Sequence, residues 1–369
     1  MTETSKLLSR TECSAMRGIA ILAIMLHNFC HWINGPIVKE NEFRFRIERV
    51  DGLFEALRNI DIYLPVQLIS FFGHYGVPVF LFLSGWGLVM KYENSTPHTQ
   101  NSSLFTLHSS LNFIRYNYLK LLRIMIIGFA AYIAVDRMTP GAHNYTVDVI
   151  VEHLLMVVNF APDPDHTIHP GPFWFFGIMM QLYVAYIVVF HRFRHWSVVL
   201  AAIVVAFAVQ LPKDPDSLDL EWIRYNFFGS LLPFGAGLLL ARANLSKVMK
   251  HVDEPVFWPF ALLASLAFVF AMSFFYVSWY LVPIFVCIAA IAFVKLLPAG
   301  VLRYTVWLGG ISSALFVTHP IARKLFIGIS RRGDIYSGIL QYVIVAVMIA
   351  WFVKMLTDKI PHPKLNTEH

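Results

Sequence analysis

Apolar runs of about twenty residues recur along the chain, each bounded by a few charged residues, and this pattern predicts helices that cross a bilayer. In order, the runs place ten spans near 14–33, 64–90, 118–138, 172–191, 196–212, 225–241, 256–275, 277–295, 304–326 and 335–356. An even number of spans puts both termini on one side. With the N-terminus inside, Lys and Arg divide seventeen inside against twelve outside, a modest bias that favours cytoplasmic termini. The expected fold is an all-α, polytopic transmembrane helical bundle forming one domain over residues 1–369.

Composition agrees with this pattern. With 57% hydrophobic and 14% charged residues and a mean hydropathy of +0.60, the chain is too apolar for an ordinary soluble fold. The first apolar run lacks a small-residue cleavage site after its polar leader, so it reads as a retained helix. A net charge of +6 raises the question of nucleic acid, but the basic residues are scattered at the ends of apolar segments, so lipid is expected as a partner and nucleic acid is not. The run from Lys39 to Arg58 mixes acids and bases and reads as a solvated face or a short helix. Cys13, Cys30 and Cys287 form no spaced framework. His166 and His169 lie in a proline-rich loop, too weak a signal for a metal site, and no metal is expected. There is no internal repeat, and the chain closes on a short polar tail, KMLTDKIPHPKLNTEH.

One run stands apart. Met16 to His31, MRGIAILAIMLHNFCH, carries an arginine at one end and two histidines deep inside. At about 1.5 Å of rise per residue, His27 lies roughly 15 Å beyond Arg17. His27 and His31, spaced i and i+4, share one helix face. Ionisable groups at such depth are functional candidates, although imidazoles also serve as interhelical hydrogen-bond partners.

Four stretches, taken together and in order, resemble the acyltransferase 3 family of integral-membrane acyltransferases: MRGIAILAIMLHN, GVPVFLFLSGWGLVMKY, GPFWFFGIMMQLYVAYIV and LGGISSALFVTHPIA. The resemblance covers nearly the whole chain and implies transfer of an acyl group, commonly acetyl from cytoplasmic acetyl-CoA, to a hydroxyl of a carbohydrate across the membrane. It implies a bacterial inner-membrane enzyme of the O-acetyltransferase type. Two departures stand out. The family's histidine follows the arginine by eleven residues, whereas His27 follows Arg17 by ten and Asn28 occupies the eleventh position; either the helix is locally distorted or the two do not pair directly. Met179 and Met180 replace glutamates found in well-known members, while Gln181 and Tyr183 remain.

On that resemblance, His27 is the general base, with His31 as its alternate, and Arg17 holds a phosphate or carbonyl or else anchors the helix end at the interface. Arg115, Lys120 and Arg123 are the candidates for the phosphates of coenzyme A, or for anionic lipid. Ser84, Gly85, Trp174, Gln181, Tyr183, Ser312 and His319 are expected to shape the substrate pocket or to serve packing. Succinyl transfer is an alternative within the enzyme class. A secondary transporter with an Arg and His pathway is the rival from another class, and the absence of a repeat speaks against it.

Overall fold

The computed structural model describes residues 7–33, 35, 37–93, 106–243 and 255–363; the end of the polar C-terminal tail lies outside them. Helix α1, Arg10–Cys30, starts at a capping box in which the Ser9 hydroxyl accepts from Glu12 and the Glu12 carboxylate accepts from the Ser9 amide. It runs as an unbroken α-helix through Arg17 and His27. The family spacing is therefore not restored by a bulge, and Arg17 and His27 do not meet.

After α1 come α2 (Ile47–Arg58), α3 (Leu64–Phe72), α4 (Gly76–Tyr92) and α5 (Leu107–Met138). Then follow α6 (Val147–Leu154), α7 (Trp174–Ala185), α8 (Trp196–Gln210), α9 (Leu218–Arg224) and α10 (Phe227–Arg242). The chain ends with α11 (Phe257–Met272), α12 (Val282–Leu296), α13 (Ala299–Gly310), α14 (Ser312–Arg331) and α15 (Ile335–Asp358). There are no strands among the described residues.

Among the described residues, five segments are long and apolar enough to cross a membrane: Arg10–Cys30, Leu64–Tyr92, Leu107–Met138, Gly171–Phe190 and Ile335–Asp358. The pair α13 and α14, bent by 73° at its break, makes a sixth when taken as one span. Helices α8, α11 and α12 are apolar but only 15 or 16 residues long, about 22–24 Å against a hydrocarbon core near 30 Å. Large apolar side chains such as Phe260, Leu263 and Met348 point outward, as a lipid-facing surface requires. The protein is an integral, multi-pass membrane protein.

Helix α1 is the hub and packs against α3, α4, α12, α13, α14 and α15. Glycine makes this possible on both sides. A side chain at Gly18 would overlap the Thr305 carbonyl, and one at Gly309 the Ser14 carbonyl, so α1 and α13 cross backbone to backbone. At Gly73, between α3 and α4, a Cβ would sit 2.7 Å from the His27 Cβ and 2.8 Å from the Ala23 carbonyl. That turn presses directly on the histidine.

The segment after α1 departs from the solvated face expected of it. Its second part forms α2, but residues 37–46 fold back into the bundle. The Val38 amide donates to Gln67 at 2.7 Å and the Ser70 hydroxyl to the Val38 carbonyl at 2.6 Å. Arg224 Nε donates to the Glu42 carbonyl and Trp279 Nε1 to the Asn41 carbonyl, both at 2.9 Å. These bonds satisfy backbone groups that burial would otherwise strand, and they drive Glu40 into the interior.

Candidate active site

His27 is 5% exposed and its Nδ1 lies 2.8 Å from the Ser70 carbonyl. A carbonyl only accepts, so Nδ1 carries the proton and Nε2 keeps its lone pair. Nε2 faces Glu40, whose Oε2 is 3.9 Å away. The same carboxylate oxygen accepts from His31 Nδ1 at 2.5 Å, which leaves His31 Nε2 as a second free acceptor. Ser70 thus orients His27 through its carbonyl and pins the Glu40 loop through its hydroxyl. His74 completes the group, its ring 5.5 Å from that of His27. It is buried, and neither nitrogen has a partner of hydrogen-bond geometry, though the Phe71 carbonyl is near.

Glu40 is 6% exposed. Burial alone would raise its pKa, but the attraction of His31 and then His27 outweighs this and holds the carboxyl below the usual carboxylate range. Two residues on, Glu42 goes the other way: burial, then the Glu40 charge, pushes its pKa well up. The two neighbouring acids are thus pushed in opposite directions, Glu40 down by its histidines and Glu42 up by burial and the Glu40 charge.

These groups line a small inner chamber of about 130 Å³, together with Trp174, Tyr225 and Phe316. The chamber shares His31, Trp32, Glu40, Phe43 and Tyr225 with a larger vestibule of about 780 Å³ at the same end of α1. Phe43 stacks on Tyr225 with ring centroids 3.7 Å apart, and Trp174 meets both edge-on. The ligand atoms of His27, His31 and Glu40 lie within 4.8 Å of one another, a set that also suits a divalent metal.

Of the residues singled out in the sequence, His27, His31 and Trp174 line the chamber and the others do not. Gln181 is occupied structurally: its amide donates to Asn226 and accepts from the Phe227 amide, each at 2.8 Å, which caps α10. Gly85 lets α4 and α10 touch, since a Cβ there would overlap the Phe234 carbonyl. Ser84 bonds to the Phe80 carbonyl within its own turn, and Ser312 to the Gly309 carbonyl across the break between α13 and α14. His319 is fully buried, its Nδ1 on the Leu315 carbonyl at 3.0 Å and its Nε2 without a partner. Tyr183 is buried beside Phe113.

At the other end of α1, Arg17 lies within electrostatic reach of Lys120 and Tyr183, and Lys120 within reach of Lys91. Lys91 sits 4.8 Å from the ring centres of both Tyr92 and Tyr116. Arg115 is exposed on the same stretch of α5, whereas Arg123 is turned away to the Ile360 carbonyl at 2.9 Å.

Residues 12–356 match the model of an acyltransferase domain, acyltransferase 3 type. The chain belongs to the acyltransferase 3 family. No curated protein and no solved structure is similar enough to match it. The family makes this membrane protein an acyltransferase, and the chamber is the place in the fold where basic nitrogens, a charged carboxylate and a cavity coincide. Sequence reasoning missed Glu40, Glu42, His74 and Tyr225. His74 carried the same signal as His27, an ionisable residue within an apolar span. Glu40 carried none, because only the folding back of its loop separates it from its charged neighbours.

Proposed function

We propose that the enzyme is an O-acyltransferase with ten membrane spans and both termini in the cytoplasm, moving acetyl from cytoplasmic acetyl-CoA to a hydroxyl of an envelope or exported carbohydrate. The observation that carries this reading is the His27, Glu40 and His31 constellation in a small chamber that shares its wall with a larger vestibule.

His27 Nε2 takes the proton of the acceptor hydroxyl as its oxygen attacks the thioester carbonyl. The new C–O bond forms, the C–S bond breaks, and the departing thiolate takes the proton back from the imidazolium. Glu40 stabilises that imidazolium from 3.9 Å, and Ser70 keeps the ring in its tautomer. His27 lies deeper than His31, nearer the side from which the thioester arrives. At the cytoplasmic end, Arg17, Lys91 and Lys120 offer three cations to the phosphates, with the half-buried ring of Tyr116 beside Lys91. The ten residues from Arg17 to His27 rise about 15 Å, a distance an extended pantetheine arm can cover.

The test is transfer of radiolabelled acetyl from acetyl-CoA to envelope glycans by membranes carrying wild-type, His27→Ala or His31→Ala protein. Loss in His27→Ala with the protein level intact supports the assignment. Retained transfer in His27→Ala with loss in His31→Ala moves the base by one turn, and no label with wild type removes the acetyl donor.

A further inference from the structure

The vestibule has an excess of positive charge that the chain itself does not neutralise. Three of its cations are matched: Arg44 by Glu221 at 3.0 Å, Arg46 by Asp216 at 2.6 Å and Lys324 by Asp136 at 2.7 Å. Four more, Lys39, Arg49, Arg323 and Arg331, line the same cavity with no carboxylate within 4 Å among the described residues. Of the vestibule's own acids, Glu221 is matched by Arg44, while Glu40 bonds to His31 and Asp165 accepts from the Tyr225 hydroxyl at 2.9 Å, neutral donors that cancel no charge, so the four unmatched cations outnumber these two carboxylates.

The unmatched guanidiniums are held in place by neutral groups. Arg331 grips the Trp32 carbonyl through Nε at 3.0 Å and Nη2 at 2.8 Å. Arg323 reaches the Asn28 carbonyl at 3.3 Å and lies 5.1 Å from the Trp32 ring centre. Arg49 donates to the Glu40 carbonyl. A carbonyl fixes a guanidinium without cancelling its charge, so each keeps donors and a full charge for a ligand. Arg323 belongs to α14, within the membrane-crossing pair, where an uncompensated charge is costly unless it serves binding. The indole of Trp32, 49% exposed at this wall, offers a flat apolar face of the kind that packs against the C–H face of a sugar.

We propose that the acyl acceptor is an anionic saccharide, whose carboxylate or phosphate is bound by Arg323 and Arg331 while a neighbouring hydroxyl enters the chamber of His27. The inference rests on the proposed acyl transfer to a carbohydrate and specifies its acceptor. The oxyanion is the shared chemistry, and the source, uronic acid or sugar phosphate, is left to the arms of the test.

Membranes are supplied with tritiated acetyl-CoA, and the labelled glycan is fragmented and run on anion exchange at neutral pH. The expected result is label retained on the column, released by phosphatase if the anion is a phosphate monoester and abolished by carbodiimide reduction if it is a carboxylate. Label in the neutral flow-through overturns the inference while leaving acetyl transfer intact; no label on any glycan counts against the transfer itself. A second measurement does not depend on turnover. The melting temperature of the purified protein should rise with glucuronic acid or glucose 6-phosphate, but not with glucose, and Arg323→Gln with Arg331→Gln should remove that rise. Equal effects of glucose and the anions, or none from any of the three, contradict the proposal.

Discussion

Glu40→Gln removes one negative charge and almost no volume from the centre of the site. In the wild type, the Glu40 oxygen is 3.9 Å from His27 Nε2, where positive charge develops as the base takes its proton. Two unit charges at that separation attract by about 4 kcal/mol at an effective dielectric near 20. At 1.36 kcal/mol per tenfold, kcat should fall by about 10³-fold. The effect should fall on kcat and not on KM for acetyl-CoA, because the cation cluster around Arg17 and Lys120 lies at the opposite end of α1. The assay is acetyl transfer by purified protein at saturating donor, with size-exclusion profile and melting temperature recorded for each variant. The glutamine can still accept from His31, so the fold should persist with reduced stability at neutral pH. A Glu40→Gln enzyme that keeps more than about a third of wild-type kcat, or loses activity only through KM, would refute the reasoning that the carboxylate stabilises the charged base.

Glu42 predicts the opposite sign for stability. Its carboxyl pKa is pushed well up in the fold, so ionisation is resisted there and stability is lost as pH rises above the ordinary carboxylate range near 4. Glu42→Gln should therefore melt with wild type near pH 4 and above it at pH 7; a constant difference, or a less stable variant at pH 7, would count against the shift. Gly73→Ala places a methyl 2.7 Å from the His27 Cβ and 2.8 Å from the Ala23 carbonyl. It should cost about 1–3 kcal/mol of stability and lower kcat at least tenfold by moving the base, measured by denaturation and turnover. Lys91→Gln together with Lys120→Gln should raise KM for acetyl-CoA about tenfold or more with little change in kcat, read from donor titrations. Exhaustive dialysis against a zinc chelator should leave transfer intact if His27 acts as a free base; activity lost to chelation and restored by metal would make His27, His31 and Glu40 ligands instead.

The architecture was largely legible because crossing a bilayer leaves a dense signal: long apolar runs with charges at their ends. The runs near 14–33, 118–138 and 335–356 return as α1, α5 and α15; α1 starts one turn earlier, α5 carries an N-terminal extension from Leu107, and α15 runs two residues past its window. The short helices α8, α11 and α12 were harder, since 15 or 16 residues fit a short span and an interior helix equally well. In the site, the spacing of His27 and His31 was readable because a helix fixes which residues share a face. Glu40 was not readable, because its burial depends on Gln67, Ser70, Arg224 and Trp279, which stitch the loop down from as far as 238 residues away. Ser84, Ser312 and His319 were plausible polar groups in apolar segments, but each bonds to a carbonyl three or four residues earlier in the chain and none faces the chamber. A motif gives spacing along the chain and not which neighbour a polar atom has chosen.

The central claim is that His27 Nε2 takes the acceptor proton in the chamber it shares with Glu40. The most direct measurement is tritiated acetyl transfer from acetyl-CoA to envelope glycan by His27→Ala and wild-type membranes matched for protein level. The account predicts a loss of at least about 10²-fold with donor KM unchanged, and wild-type transfer in His27→Ala would contradict it.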